Sequence, residues 1–411
     1  MSHTDTTVLI IGGGLAGLSF AALLGEAGVD VTCIDRDVPV TQMAQKYDGR
    51  TTAISYASHK VLKAAGAWDS MLPDCEPILD IRVADGNSPF YLHFAHETDG
   101  RGEPFGWIIE NTLLRKALFE NVQRLKKHVR HIAPAEITGF FHKKSRAGVR
   151  LANGDTISAP LLVGADGRNS ATRAWLDIPS KAVDYKQTAI VCNVTHERDH
   201  ENVAVEHFRP AGPFAVLPMT RGPKGEHRSS VVWTEHGGDA KDILALPPDA
   251  FDRRLQQLFG PHLGRVQHVS KPMAYPLGLL HAARYIGPRV ALMAEAAHAI
   301  HPIAGQGLNL SLRDAAALAE LVVDNLRAGG DIGADTLLQA YESWRRPDTA
   351  LMAGVTDALN RLFSNNLKTV SVAREIGIGI VEKSPLLKRY FAGQAMGVSG
   401  ILPRIIRNGR L

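Results

Sequence analysis

Residues 8–35 read VLIIGGGLAGLSFAALLGEAGVDVTCID, and no other stretch limits the fold as strongly. The apolar run Val8, Leu9, Ile10, Ile11 stops at three glycines. Residues 15–27 then have the make-up of a helix, and a second β-branched run, 29–34, ends on Asp35. The order is strand, turn, helix, strand, with Gly12, Gly14 and Gly17 in G-x-G-x-x-G register. That is the signature of a Rossmann-like dinucleotide-binding α/β unit. Gly12 allows a sharp turn off the strand, Gly14 allows the backbone to touch a pyrophosphate, and Gly17 allows the helix to pack on the sheet. Leu15 and Ala16 open that helix, whose free N–H groups and partial positive charge favour an anion. Asp35 stands where an acid accepts hydrogen bonds from a ribose.

A chain of 411 residues is long enough for two sizeable cores. A net charge of +4 is mild and does not argue for nucleic acid. Cys33, Cys75 and Cys192 are scattered with no C-x-x-C, which points to a reducing compartment and away from a thiolate metal site. Residues 6–25 are uncharged, but no Lys or Arg flanks them and the turn already explains their glycines, so no targeting segment or membrane span is expected.

Further along, Arg50 precedes a helical run at 55–65, and Arg115 falls in the first turns of a helix at 111–126. A cation there is disfavoured by the helix dipole unless an anion compensates. Residues 149–163 read as a hairpin about Asn153-Gly154 followed by a buried strand, and Gly164-Ala165-Asp166-Gly167 demands a tight turn. From 176 to 284 alternating segments with Gly/Pro turns indicate an antiparallel sheet, interrupted by a helix at 249–259. A buried strand at 290–293 then leads through Glu295 and a loop holding Pro302, Gly305, Gln306 and Gly307 into an apolar-periodic helix over 308–326. That loop brings a helix N-terminus, cleared of side chains, to a place where negative charge is stabilised. His298 and His301 have no third ligand nearby, so no metal is expected. The tail from 383 carries six basic residues (Lys383, Lys388, Arg389, Arg404, Arg407, Arg410) and no acid, with apolar residues interleaved. It is either a solvated terminal region or an edge that rests on an anionic membrane.

Three separated segments, GGGLAG with Asp35, GADGRNSATR and AEAAHAIHPIAGQGLNLSLRDAAAL, resemble the single-component FAD-dependent aromatic hydroxylases of the hydroxybenzoate-hydroxylase fold. HPIAGQGLNL followed by LRDAAAL, GPFAVLP with SSVVW, YESWRRPD and MGVSGILPR resemble the ubiquinone-biosynthesis branch more closely. The resemblance implies an α/β, Rossmann-like FAD-binding domain with an inserted antiparallel-sheet substrate domain and a C-terminal helical region. The segments would be 1–75, 105–175 and 285–345 for FAD, 76–104 and 176–284 for substrate, and 346–411 for the helical region.

The resemblance also implies roles. Gly12, Gly14, Leu15, Ala16, Gly17, Asp35 and Arg36 would hold the ADP half of FAD. Arg50 and Arg115 would lie along the flavin and pyrophosphate, and Asp166 and Gly167 would serve the pyrophosphate region and the approach of NAD(P)H. Glu295 would meet the ribityl chain. Pro302, Gly305, Gln306, Gly307, Leu308 and Asn309 would run beside the isoalloxazine. The family usually has Gly-Asp where this chain has Ala294-Glu295, so either the ribityl contact shifts or Glu295 points elsewhere.

The implied reaction uses NAD(P)H as a visiting co-substrate, which agrees with a single dinucleotide fingerprint. Oxygen adds at the flavin C4a, and the resulting hydroperoxide attacks the ring of a polyprenylated phenol. No side-chain acid or base is assigned. The implied location is cytoplasmic, peripheral on the inner face of the membrane through 384–411, with room for assembly with other ubiquinone-biosynthesis proteins. A prenyl-chain reductase of the same fold and a non-catalytic FAD-binding subunit remain as alternatives; neither would show phenol-stimulated oxygen uptake. A halogenase would carry W-x-W-x-I, and Trp107 has no such partner.

Overall fold

The apolar runs at 8–11 and 161–164 are continuous rather than alternating, which a strand needs only when both its faces are covered. The computed structural model, which describes residues 2–44, 50–86, 91–99, 102–363 and 379–411, covers both. Six strands lie in the order Ile286–Gly287, Val290–Leu292, Leu161–Gly164, Val8–Ile11, Val31–Ile34, Val129–Ile132. All neighbours are parallel except the antiparallel Ile286–Gly287 edge. On one face Val8, Ile10 and Val163 pack against the helices Leu15–Glu26 and Gln306–Arg327. On the other, Leu9, Ile11, Ile34 and Leu162 pack against Val149, Leu151 and Ile157 of a small sheet. That sheet contains the expected hairpin: Arg146–Leu151 runs antiparallel to Thr156–Ala159, and Gly154 takes φ +88° in the turn.

The second large sheet has nine strands. Its central members are Met273–Ala282, Ser180–His196, His227–His236, Gly212–Met219 and Val203–Arg209, all antiparallel to their neighbours in that order. Asp80–Asp85 then joins Val203–Arg209 in parallel, and Tyr91–Ala95 closes that edge. Alternation fixes the two faces. Ile190, Cys192, Phe214, Val216, Val231 and Trp233 pack under Ala240, Phe251, Leu255 and Phe259 of two helices, Gly237–Leu244 and Pro248–Phe259. The opposite face turns toward the first sheet's side of the molecule. There Thr51 Oγ1 donates to Ser230 Oγ at 2.8 Å, the Arg50 guanidinium lies 5.7 Å from the centre of the Tyr275 ring, and Phe208 shares an apolar cluster with Ile303.

Within the strand-like stretch 76–104, only part joins this sheet. Glu76–Ile78 instead pairs with Gly106–Glu110, which also pairs with Thr51–Ser55. Helix Asp335–Phe363 runs unbroken past residue 345, with Pro347 inside it. Residues 364–378 of the expected helical tail lie outside the described residues. Beyond them, Pro385–Ala395 and Arg404–Asn408 are helical, and Met396, Ile405 and Ile406 are buried. No described helix is long and apolar enough to cross a membrane.

Candidate active site

The glycine turn is built by close approach. Gly12 has φ +105°, and a Cβ on it would stand 2.4 Å from the Ala165 carbonyl oxygen. A Cβ on Gly17 would stand 1.9 Å from the Gly12 carbonyl oxygen. The sequence reading assigned Gly17 to helix–sheet packing, but its contact is with the turn itself. Gly14 differs from both. It is the N-cap of helix Leu15–Glu26, and no described atom lies within 4 Å of where its Cβ would be. Leu15 and Ala16 start the helix, with Ala16 buried.

Beside the turn, Asp35 Oδ2 accepts from the Gly13 N–H at 2.5 Å and Oδ1 from the Asp37 N–H at 2.8 Å. Asp35, Arg115, Gly13, Leu18, Phe119 and His131 line one cleft. Arg115 therefore comes together with Asp35. Arg36 does not line this cleft; its side chain is 87% exposed, with Nε 3.7 Å from Asp37. His131 escaped the sequence reading. Its Nε2 is buried without a hydrogen-bond partner among the described residues, and burial pushes its pKa down against the pull of Asp35. Its signal was indirect: Val129–Ile132 is the next parallel strand beyond Val31–Ile34.

Asp166 is committed to its own turn. Ser170 Oγ donates to Oδ1 at 2.6 Å, while the Thr172 N–H and Oγ1 donate to Oδ2 at 2.9 and 3.0 Å. The carboxylate thus shapes the segment that presses on Gly12, and what faces outward is backbone, with Gly167 at φ +80° and open space where a Cβ would stand.

The strand Val290–Leu292 leads into the loop of greatest interest. Ala294 sits at φ +54°, the left-handed region that costs an alanine roughly 1–2 kcal/mol. A glycine is the relaxed choice there, which gives a physical reason for the family's usual Gly-Asp. Ala294→Gly is expected to raise stability by about 1 kcal/mol after the extra unfolded-chain entropy is subtracted. Chemical denaturation checks this; an unchanged or lower midpoint contradicts it. Glu295 is exposed and makes no hydrogen bond or ion pair among the described residues.

What holds this loop is a buried charge network. Asp314 is fully buried on helix Gln306–Arg327. Its Oδ2 accepts from the Ala294 N–H at 3.1 Å and from His298 Nε2 at 2.5 Å, and its Oδ1 from Arg345 Nε at 2.8 Å. Burial alone would raise the Asp314 carboxyl, but His298 and Arg345 outweigh it and hold it below the usual carboxylate range. Arg345 continues to Asp348 at 2.8 Å, Asp348 to Arg313, and Arg313 donates to the Gly397 carbonyl at 2.9 Å. His298 is thus a charge partner rather than half of a histidine pair. The sequence signal for this network was charge inside apolar helix faces, at LSLRDAAAL and SWRRPD.

At the loop's end Pro302 precedes a short 3-10 turn, and Gly305, at φ +63°, caps helix Gln306–Arg327. A Gly305 Cβ would lie 3.1 Å from Ala53 Cβ, whereas at Gly307 it would meet nothing within 4 Å. Gln306 is buried and Leu308 half-buried. Asn309 accepts from the Ser55 N–H at 3.0 Å and donates to the Ala53 carbonyl at 3.0 Å, so its side chain stitches the helix start to strand Thr51–Ser55. Burial pushes the His301 pKa down to about 4, and Nδ1 accepts from the Ile303 N–H at 3.3 Å.

These donors fit an FAD-sized dinucleotide. The open position at Gly14, a helix start without side-chain cap, the Asp35 cleft with its orphaned His131 nitrogen, and the cleared helix start at Gly307 suit a pyrophosphate, a ribose and an anionic ring.

The comparisons agree. A family profile described as FAD binding domain matches residues 5–354. The chain is similar to ubiquinone hydroxylase UbiL of Rhodospirillum rubrum, 46% identical over 396 residues, covering 96% of this chain and 90% of the relative. It is 30% identical to the 3-demethoxyubiquinol 3-hydroxylase of Escherichia coli, covering 97% of this chain and 100% of that one. Among solved structures, p-nitrophenol 4-monooxygenase PnpA from Pseudomonas putida DLL-E4 superposes with a TM-score of 0.76 at 17% identity, over 97% of this chain and 99% of that chain, a likeness of fold. The chain belongs to the FAD-dependent ubiquinone-hydroxylase family of flavoprotein monooxygenases.

Proposed function

We propose that this monooxygenase hydroxylates the aromatic ring of a polyprenylated phenol in ubiquinone biosynthesis, with NAD(P)H as electron donor and O2 as oxygen source. The observation that carries the choice of an apolar phenol is the sheet face opposite the glycine loop. Paired positions across the strands place Val191, Val232, Ala215, Glu206 and Val83 in one row on that face, apolar except for Glu206. Phe208 of the same face packs with Ile303 of the loop. A prenylated ring would lie between the two.

Gly12, Gly14, Leu15, Ala16 and Gly17 would seat the pyrophosphate, and Asp35 the adenosine ribose. Arg115 would supply positive charge in that cleft, Arg50 would act where the two sheets meet, and backbone at Asp166 and Gly167 would line the path between. We leave Arg36 at the rim. When bound, FAD supplies the electron transfer and oxygen activation. The chain's part is to hold the cleared helix start at Gly307, Leu308 and Asn309 against developing negative charge, with Pro302, Gly305 and Gln306 fixing its approach. The test is oxygen uptake and NAD(P)H oxidation with and without a phenol carrying a single prenyl unit. Phenol-stimulated uptake with a hydroxylated product supports the proposal; flavin reduction without ring hydroxylation of any phenol removes it.

The membrane contact we assign to helix Pro385–Ala395. Leu386 is 77% exposed, Tyr390 57% and Phe391 43%, with Lys383 and Arg389 also exposed. Apolar side chains amid cations suit an anionic bilayer surface. Removing 384–411 whole would also strip Met396, Ile405 and Ile406 from the core, so surface substitutions probe it better. Leu386→Ser with Phe391→Ser is expected to weaken co-sedimentation with anionic vesicles about tenfold. Equal binding by the double variant rejects the assignment.

A further inference from the structure

Glu206 is a carboxylate where the packing calls for an aliphatic side chain. It lies mid-strand in Val203–Arg209, and alternation puts it on the same sheet face as Ala204 and Phe208. Across the strands it pairs with Ala215 on one side and Val83 on the other. All four of these neighbours are apolar. Along the strand, Phe208 shares a cluster with Ile303 of the glycine loop. In the other direction, Ala204 shares one with Ala53, the residue that Gly305 approaches. The carboxylate therefore stands on its strand between Phe208, which clusters with Ile303 of the loop, and Ala204, which clusters with Ala53 of strand Thr51–Ser55.

Glu206 is half-buried, and its side chain makes no hydrogen bond or ion pair among the described residues. Charged groups on the elements around it are engaged elsewhere or lie apart. Lys388 is held by Glu382 at 2.5 Å. Arg82 pairs with Val205 and so lies on the opposite face, Asp85 shares the Glu206 face one step beyond Val83, and His301 stands at the foot of the loop. None of them sets its protonation: burial alone raises the carboxyl to about 7. An unpaired carboxylate in such a row destabilises the fold, so its presence asks for a partner that arrives with the substrate.

We propose that Glu206 is the catalytic base that takes the proton from the substrate's phenolic hydroxyl. The inference rests on the phenol reading of the substrate given above. The phenol O–H bond breaks, the proton passes to a Glu206 carboxylate oxygen, and the electron pair stays on the phenol oxygen and enters the ring. The ring carbon ortho or para to that oxygen then forms its bond to the electrophilic oxygen that FAD and O2 supply. Loss of the ring C–H proton to solvent restores aromaticity, and Glu206 returns its proton to the phenol oxygen. A base working near the operating pH suits this role.

The test uses the FAD-loaded protein and Glu206→Gln, an isosteric change that removes the half-buried charge and is expected to keep the fold, with flavin content as control. The first readout is the pH profile for a phenol bearing one prenyl unit. The wild type is expected to show an acidic limb near pH 7, activity rising as Glu206 ionises, and Glu206→Gln to lose that limb and on the order of a hundredfold in kcat. Glu206→Asp should restore part of the rate and the limb. The second readout needs no turnover: the ionisation of a bound, prenyl-substituted nitrophenol, read from its visible band. Its apparent pKa should be higher in the wild type than in Glu206→Gln by about one unit or more, because two adjacent acids resist double ionisation. Equal probe ionisation in both proteins, or an acidic limb that survives in Glu206→Gln, overturns the inference while leaving the hydroxylase reading standing. A wild type that neither binds nor hydroxylates a phenol removes both.

Discussion

Gly14→Val is expected to give a folded protein that purifies nearly free of flavin. No described atom lies within 4 Å of a Gly14 Cβ, so the fold itself offers no clash. The space a valine would fill is the space in front of the first helix's free N–H groups, where we propose that the pyrophosphate sits. Losing that contact costs on the order of 3 kcal/mol or more, about a hundredfold in FAD affinity. Gly17→Ala provides the contrast. Its Cβ would stand 1.9 Å from the Gly12 carbonyl oxygen, so that variant should lose stability whether or not FAD is present. Flavin absorbance and a melting curve on both variants separate the effects. Normal flavin content in Gly14→Val contradicts the assignment of the turn.

Asp314→Ala should cost about 3–5 kcal/mol, since it leaves Arg345 and His298 buried without their shared partner and the Ala294 N–H without its acceptor. Both side chains are 2% exposed or less. The damage should spread to the loop, lowering flavin retention together with the unfolding midpoint. A pH dependence follows from the same carboxyl. Its folded value lies below its ordinary 3.8, so its contribution is present above that pH and is lost as pH falls through the lowered value. The wild type should therefore lose stability in that acid range more steeply than Asp314→Ala. A variant within 1 kcal/mol of wild type, to order of magnitude, with the same acid profile would show that the network does not hold the loop.

The parts of this molecule legible in its sequence are those where local chemistry leaves few choices. The G-x-G-x-x-G turn needed its glycines, the doubly covered strands needed continuous apolar runs, and Asn153-Gly154 needed a hairpin. The large sheet's outline was legible through alternation, but its parallel joint between Val203–Arg209 and Asp80–Asp85 was not, because those strands lie far apart in the chain and no local signal fixes their direction. The resemblance places Asp166 at the pyrophosphate region, but that its oxygens accept from Ser170 and Thr172 is an arrangement decided by rotamers and not legible in the motif. Asp314, Arg345 and Glu206 are the instructive cases. Each is a charged residue in a buried or half-buried position of an apolar pattern. The pattern predicts the element correctly and hides the charge's purpose until partners from elsewhere in the chain, or their absence, become visible.

The central claim is that one oxygen atom from O2 is placed on the ring of a prenylated phenol by this flavoprotein. The most direct measurement is mass spectrometry of the product formed under isotopically labelled O2 with NAD(P)H and a phenol carrying one prenyl unit. A ring-hydroxylated product containing one labelled oxygen is expected, with labelled water giving none. An unlabelled product, or a product reduced in its prenyl chain with the ring unchanged, would contradict it.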